Sequence, residues 1–331
     1  GFSGKKDIEE FGIAEFNRVC RESVLRHVDQ FETMTRRMGY WVDMSDAYWT
    51  MDPDYVQSVW WSLKTIFEQG LLVQDHRVSP YCPRCGTGLS DHELAQGYED
   101  IVDESVFVRM PVTDEQWVQR HPGLTLLVWT TTPWTLVSNT AVAVNPQAQY
   151  VIARSRGETL VVAADLADAV LGESYEELER LAGADLVGLH YDRPFDLVEI
   201  PDSHFVIPGE YVTTDDGSGL VHIAPAFGAD DLAVSKAYDL PVVNPVRPDG
   251  HFLDEVPLVG GQFFKSADAP LVGDLEARGL LFAHVPFEHA YPHCWRCHTP
   301  LIYYAQPSWY IRTTARKAEM LEQNEETNWF P

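Results

Sequence analysis

The 331-residue sequence has few basic residues and no long apolar run. Lysine and arginine number 24, against 50 aspartate and glutamate residues, so the formal net charge is −26. Nucleic-acid binding and docking on anionic membranes both depend on basic side chains, so this balance argues against a free-standing protein of either class. No stretch holds the roughly 18 apolar residues that a membrane span needs. The first ten residues also lack a signal-peptide core, which favours a cytoplasmic location.

Internal repeats, low-complexity linkers and an initiating methionine are also absent, and we expect the chain to be a piece of a longer protein. The acidity is uneven. Residues 98–285 carry 10 basic and 30 acidic residues, a net of −20, whereas residues 1–97 carry 10 and 15 and residues 286–331 carry 4 and 5. With 45% hydrophobic residues the chain is not disordered. The distribution predicts an acidic domain over 98–285, and the two flanking segments are expected to belong to one structural unit.

Hydrophobic periodicity predicts helices over 7–38 and 52–69, the second beginning after Asp52 and stopping before Gly70. Further helices are predicted at 164–171, 175–182, 229–238 and 267–278. Strands are predicted at 71–78, 105–110, 125–131, 140–144, 150–154, 159–163, 204–207 and 219–223. Many strands with few helices favour an α/β fold in which the middle domain is a barrel-like, strongly curved β-sheet with flanking helices.

Four of the five cysteines form two CxxC pairs, Cys82 with Cys85 and Cys294 with Cys297, separated by 208 residues. Both thiolates of such a pair can reach one ion, so two pairs complete a tetrahedral structural zinc site with no open position. A redox CxxC would open a helix, and a cytosolic chain disfavours disulfides. Cys20 is expected to be buried on the apolar face of a helix.

One metal ion bound by both CxxC pairs would hold the two ends of the intervening segment together, so the middle domain is predicted to be an insertion. The predicted organisation is a helical stem with the first zinc knuckle over 1–97, the inserted domain over 98–285, and a return stem with the second knuckle over 286–331.

Two segments of the middle domain carry candidate chemistry. In the first, residues 128–139, strand alternation would place Thr130 and Thr132 on one face and Thr131 on the other. Three hydroxyls followed by Thr135 suit the wall of a polar pocket, although threonine is also an ordinary strand residue.

The second segment, residues 217–231, reads as a strand ending near His222, a turn, and a helix starting at Asp230 and Asp231. A lone strand histidine is more often structural than functional. Carboxylates in a first helical turn are favoured by the helix dipole, and one that faces a cleft could bind an ammonium group.

The sequence resembles the isoleucyl-tRNA synthetase family along its whole length, in the part that holds the connective editing domain and a zinc-bearing stem. The resemblance rests on WTTTPWTL at 129–136, GSGLVHIAPAFGADD at 217–231, YCPRCGTGLSDHE at 81–93, NPVRPDG at 244–250 and the second CxxC pair. The family's nucleotide-binding signatures, HIGH and KMSKS, do not occur here. The resemblance therefore implies a fragment that cannot aminoacylate and that instead hydrolyses misacylated Val-tRNA(Ile), with valyl-adenylate as a second candidate substrate.

The resemblance also implies roles for single residues. Asp231, preferred over Asp230 because the family's anchoring aspartate is the second of the pair, would bind the substrate α-ammonium group, and His222 would line the side-chain pocket. The threonines Thr130, Thr131 and Thr132 would hold the ester, the terminal adenosine or a water. Asn139 would orient that wall, and Trp129 would contact the adenosine. The implied partners are the 3′ end of tRNA(Ile) and the rest of the synthetase.

Two alternatives stay open at this point. One is a zinc-stabilised module that positions tRNA without catalysis. The other is an editing domain of valyl or leucyl type, although in those enzymes an arginine typically follows the paired threonines and an acidic residue follows the proline, where this chain has Thr132 and Trp134.

Overall fold

The computed structural model describes residues 2, 5–172 and 174–329, and the chain divides into two compact units. The first unit joins residues 1–76 to residues 307–331, and the second comprises residues 77–306. The domain boundaries expected at 97/98 and 285/286 stay predictions.

The α-helices are α1 (Lys5–Phe11), α2 (Ile13–Leu25), α3 (Val28–Arg37), α4 (Pro53–Glu68), α5 (Asp91–Leu94), α6 (Glu115–Arg120), α7 (Ala167–Leu171), α8 (Gly183–Leu186), α9 (Ala229–Tyr238), α10 (Asp268–Ala277) and α11 (Lys317–Glu325). The strands are β1 (Leu72–Cys82), β2 (Thr87–Gly88), β3 (Tyr98–Pro111), β4 (Leu124–Thr130), β5 (Ala141–Val144), β6 (Gln149–Ser155), β7 (Glu158–Ala163), β8 (Glu176–Ala182), β9 (Phe205–Pro208), β10 (Leu220–Ile223), β11 (Leu281–Pro292) and β12 (Ile302–Ile311).

The first unit is mainly helical. The single helix predicted over 7–38 is wrong in its continuity, because three helices, α1 to α3, occupy this stretch. Gly12 separates the first two with a φ of +100°, a conformation that interrupts helical hydrogen bonding and that glycine adopts without a steric penalty. The helix predicted over 52–69 is confirmed as α4, which follows Asp52 and stops before Gly70. Cys20 is exposed on α2 rather than buried, so that expectation is wrong.

The second unit is built on β-sheets. A six-stranded sheet has the order β11-β3-β4-β7-β6-β8, and a three-stranded sheet has the order β10-β5-β9. Neighbouring strands are antiparallel except for the pairs β4-β7 and β5-β9. The mixed α/β class is therefore confirmed. The larger sheet starts at β11 and ends at β8 without closing among the described strands, and barrel-like curvature stays a prediction.

The core of this unit lies against the six-stranded sheet. Alternate residues Val106, Val108 and Met110 of β3 are completely buried, as strand alternation requires of a face that packs inward. Each fully buried aliphatic side chain of this kind stabilises the fold by about 1.5–3 kcal/mol. The predicted strand at 105–110 is therefore only the buried end of β3, which pairs with β11 from Val108 back to Tyr98.

One predicted helix is a strand. Residues 175–182 were expected to be helical, but Glu176–Ala182 forms β8 and pairs antiparallel with residues 149–154 of β6. The segment is rich in helix-forming residues, and the sheet edge that it completes outweighs this weak local preference. The helices predicted near 164–171, 229–238 and 267–278 are present as α7, preceded by a short 3₁₀ turn, α9 and α10.

Among the described residues, no helix combines the length and the hydropathy that crossing a bilayer requires.

Candidate active site and metal centre

The four cysteines of the two CxxC pairs form one cluster. Their sulfur atoms all lie within 4.8 Å of one another. The Sγ of Cys297 is 3.5 Å from that of Cys82 and 3.6 Å from that of Cys85, which is 4.0 Å from the Sγ of Cys294. These distances are far too long for disulfides. They match the separation of about 3.8 Å between sulfurs that tetrahedral coordination with Zn–S bonds of about 2.3 Å requires.

The backbone around the cluster is shaped to hold these sulfurs together. Cys82 ends β1, and the amide of Cys85 donates a hydrogen bond of 3.3 Å to the Cys82 sulfur. The amide of His293, next to Cys294, donates to the carbonyl of Gly97 at 2.6 Å. A Cβ at Gly97 would lie 1.9 Å from the His293 carbonyl oxygen, so only glycine allows this approach. The cluster thus joins chain segments 208 residues apart, as the CxxC spacing predicts.

Burial raises the pKa of the Cys82 thiol. Cys82 and Cys294 are both fully buried, and no basic side chain is needed to ionise thiols that a cation binds directly. The donor set therefore fits a structural metal ion that four thiolates enclose.

The hydroxyl-rich segment forms a continuous chain of hydrogen bonds. Thr130 lies at the end of β4, and its Oγ1 is 3.2 Å from the Oγ1 of Thr132 and accepts from the amide of Thr132 at 3.1 Å. The Thr132 hydroxyl is 3.0 Å from that of Thr135, in the 3₁₀ helix Pro133–Ser138. We call Thr130, Thr132 and Thr135 the hydroxyl row. Thr131 is half-buried, as is Thr132, whereas Thr130 is buried.

The hydroxyl row ends on His222. This residue lies in β10 opposite Val142 of β5, and its Nε2 is 2.8 Å from the Oγ1 of Thr135. The Thr135 hydroxyl is also 2.7 Å from the carbonyl of Thr132, so its one proton is shared between this acceptor and the His222 contact. Burial lowers the pKa of His222 to about 4, so the ring is neutral at pH 7. Its Nδ1 is buried without a hydrogen-bond partner in the described part of the chain.

Asp231 lies two residues beyond the start of α9. Its Oδ2 accepts a hydrogen bond of 2.8 Å from the amide of Ala224, which follows His222 by two residues. Burial, and then the neighbouring charge of Asp230, raises the pKa of Asp231 to about 6. Gly228 makes this position accessible, because a Cβ there would lie 2.6 Å from the Asp231 Cγ. The side chain keeps partial solvent exposure, whereas Asp230 is exposed. The carboxylate is thus anchored and ionisable near neutral pH.

Trp129 joins the two candidate segments. Its ring contacts Phe287 with a centroid distance of 5.3 Å and is half-buried. A Cβ at Gly217 would lie 2.6 Å from the Trp129 ring, and Gly217 has a φ of +74°, so the second segment begins directly against this ring. Trp129 stands on the opposite side of its strand from Thr130, as alternation requires.

Asn139 is completely buried and is engaged in the fold. Its amide nitrogen donates to the carbonyl of Ala141 at 2.9 Å, and its Oδ1 accepts from the hydroxyl of Tyr191 at 2.8 Å. These bonds hold the end of the 3₁₀ helix against β5. In the described part of the chain Asn139 thus has no hydrogen bond to the hydroxyl row, and it acts on that row through the backbone between them.

One contributor to the site lies outside both segments. The Oδ1 of Asp268, at the start of α10, accepts from the amide of Trp134 at 2.9 Å. Burial raises the pKa of Asp268 to about 7. The sequence carries no local signal for this contact, because the two residues are 134 positions apart.

Comparisons of the sequence with known proteins identify its family. The family model described as tRNA synthetases class I (I, L, M and V) matches residues 1–331. The isoleucine–tRNA ligase of Streptomyces coelicolor is 64% identical over 333 residues, covering 100% of this chain and 32% of that protein. The isoleucine–tRNA ligase of Thermus thermophilus is 44% identical over 331 residues, covering 100% of this chain and 31% of its own length.

Solved structures show a weaker likeness. The cytosolic leucyl-tRNA synthetase editing domain of P. knowlesi aligns with a TM-score of 0.43 and 13% identity, covering 57% of this chain and 98% of that chain. The corresponding P. falciparum domain aligns with a TM-score of 0.41 and 10% identity, covering 55% and 99%. The chain spans about a third of the length of the curated relatives it matches. It belongs to the class I tRNA synthetases (I, L, M and V), and within that family its whole length is similar to isoleucine–tRNA ligases.

Proposed function

We propose that this chain is the editing part of an isoleucine–tRNA ligase and that it hydrolyses the aminoacyl ester of Val-tRNA(Ile). The observation that carries the proposal is the hydroxyl row ending on His222, together with Asp231 anchored on the amide of Ala224, within the two segments that resemble the family. Valyl-adenylate is a possible second substrate of the same site. Isoleucine activation and tRNA charging would belong to the remainder of a longer protein.

Editing compensates for the limited ability of the isoleucine-activating site to discriminate valine from isoleucine. Valine lacks only one methylene of isoleucine, and this difference changes binding by about 1–3 kcal/mol, a case for which isoleucyl-tRNA synthetase is itself the standard illustration. A second pocket that admits valine and excludes isoleucine by size removes the errors that the first pocket accepts.

Asp231 is the group that we assign to the substrate α-ammonium. A carboxylate already held by the amide of Ala224 loses little freedom when it accepts a charge-assisted hydrogen bond. With a pKa of about 6, roughly nine in ten Asp231 side chains are ionised at pH 7. A bound substrate ammonium group favours the ionised form of Asp231 further, because the two charges attract.

The threonines are assigned to the ester and the attacking water. The described residues show no Ser–His–Asp or Cys–His nucleophile at this site, which favours direct attack by an oriented water. Thr131 and Thr132 keep partial exposure and can reach a substrate, while Thr130 fixes the amide of Thr132. Positioning and hydrogen bonds to the developing oxyanion then supply most of the rate enhancement.

His222 is assigned to the wall of the side-chain pocket. A neutral, buried ring held by Thr135 is a rigid surface rather than a proton carrier at pH 7. A pocket that excludes a side chain larger by one methylene needs a rigid wall, because a mobile wall would move and admit isoleucine. Trp129 would contact the terminal adenosine, and Asn139 would hold the backbone behind the wall.

The remaining assignments follow from the charge and the cysteines. The net of −20 over residues 98–285 suits an ammonium-bearing substrate but repels the tRNA backbone, so the rest of the synthetase would hold the tRNA. The metal at the four cysteines is assigned as structural zinc, since thiolate sets of this geometry select zinc. A cytoplasmic location completes the proposal, because a four-thiolate metal site is typical of reducing compartments.

The test compares deacylation of Val-tRNA(Ile) with that of Ile-tRNA(Ile) by this chain, with Asp231→Ala as the inactive variant and Asp230→Ala as its matched control. We expect selective release of valine that Asp231→Ala loses and Asp230→Ala keeps. Equal rates on the two substrates, or an active Asp231→Ala protein, would refute the assignment. Release of a different amino acid would point to valyl or leucyl specificity. Binding of tRNA with no release would point to a positioning module.

A further inference from the structure

The strongest unassigned feature lies behind the hydroxyl row, on α10. The amide of Trp134 is in the first turn of the 3₁₀ helix Pro133–Ser138, where backbone amides have no acceptor within the helix. The carboxylate of Asp268 supplies that acceptor at 2.9 Å, from a segment 134 residues further along the chain. It thereby caps the helix that carries Thr135.

This contact sets the geometry of the hydroxyl row. Trp134 lies directly between Thr132 and Thr135, whose hydroxyls are 3.0 Å apart. Thr135 in turn meets His222 at 2.8 Å. A hydrogen bond of this length tolerates a shift of only a few tenths of an ångström, so release of the Trp134 amide would loosen both contacts.

Asp268 lies near a charged network that involves the two longest strands. Lys265 lies one turn earlier and pairs with Asp103 of β3, with its ammonium group 4.0 Å from the centroid of the Tyr291 ring. Asp103 also contacts His289 of β11 at 3.1 Å. The charge of Lys265 attracts the Asp268 carboxylate, and Asp103 repels it. The hydrogen bond from the Trp134 amide therefore orients the carboxylate, while these charges act on its ionisation.

We propose that Asp268 is a positioning residue for ester hydrolysis, which acts through the Trp134 amide to hold the hydroxyl row in register with His222. The inference rests on the proposed function for the chemistry that the row performs. The anchoring contact itself is independent of the substrate.

The test uses three variants of Asp268. Asp268→Asn keeps an acceptor oxygen, whereas Asp268→Ala and Asp268→Leu remove it. The leucine side chain is at least as large as that of aspartate, so Asp268→Leu leaves no cavity. Asp274→Ala is the matched control, because Asp274 lies on the same helix and pairs with Arg278. We expect kcat for valine release to fall about tenfold or more in the Ala and Leu variants with little change in KM, since misplacement acts on the reacting geometry. Asp268→Asn should stay within about threefold of the parent.

Amide hydrogen exchange at Trp134 gives the second measurement, which a general loss of stability would not reproduce. Protection of this amide should fall in the Ala and Leu variants and persist in Asp268→Asn and Asp274→Ala. An Asn variant as impaired as the Ala variant, or unchanged Trp134 exchange in all variants, overturns the proposal. If neither this chain nor the whole synthetase that contains it releases valine, the proposed function fails, while the exchange pattern still decides whether Asp268 anchors the turn.

Discussion

Replacing Asp231 by asparagine should stabilise the fold while it removes activity. The folded-state pKa of this carboxyl is about 6, against a usual value of 3.8, so its ionisation in the folded protein is penalised by about 2.2 pH units, or about 3 kcal/mol. An asparagine oxygen can still accept from the amide of Ala224. At pH 7 the free energy of unfolding should therefore rise by up to about 3 kcal/mol.

The sign of the pH dependence follows from the raised pKa. The folded state binds the Asp231 proton more tightly than the unfolded state, so the parent protein loses stability relative to Asp231→Asn as pH rises from about 4 to about 6. The same substitution removes a charge-assisted hydrogen bond to the substrate ammonium, worth about 1.5–3 kcal/mol. Valine release should fall about 10- to 150-fold.

Urea unfolding at pH 4 and pH 7, with deacylation at pH 7, measures both effects. The titration of His222 is common to both proteins and cancels in the difference. Asp230→Asn is the control, and it should retain activity while moving the midpoint of the pH profile slightly lower, because Asp230 raises the pKa of Asp231. A stability gap that does not change with pH, or an asparagine variant with full activity, would refute the reasoning.

Three further predictions follow from the site and the cysteine cluster. Cys294→Ser should abolish binding of one zinc per chain, measured by metal analysis, and lower the free energy of unfolding by more than about 3 kcal/mol, whereas the exposed Cys20→Ser should change neither. Gly228→Ala should displace the Asp231 carboxylate, which lies 2.6 Å from the added Cβ, and lower valine release at least tenfold in a deacylation assay. Because the pKa of His222 is lowered to about 4, the parent should lose about 3 kcal/mol of stability relative to a His222→Gln variant as pH falls from 6.5 to 4, a difference that pH-dependent urea unfolding of both proteins measures.

Sequence patterns predicted the local parts of this protein well. The bounds of α4, the strands that carry Thr130 and His222, and the meeting of two distant CxxC pairs all follow from residue type and spacing, although the Asp52 side chain makes no capping hydrogen bond. These features depend on rules that act within a few residues, or on a metal geometry that leaves few choices.

The errors arose where tertiary pairing decides the outcome. Residues 176–182 have helix-forming side chains but complete the edge of a sheet beside β6. Cys20 lies on an apolar pattern that α2 leaves exposed. The contact of Asp268 with Trp134 spans 134 residues, and no local pattern in either segment points to the other.

The four-cysteine cluster has a consequence for synthesis of the chain. Cys85 and Cys294 are separated by 208 residues, and ribosomes add roughly 5–20 residues per second. The first two thiols therefore wait about 10–40 s before the last two emerge, and the cluster can close only after every strand from β3 to β11 has been made. Closure of the cluster is therefore a late step, and it becomes possible at nearly the same time as the pairing of β11 with β3.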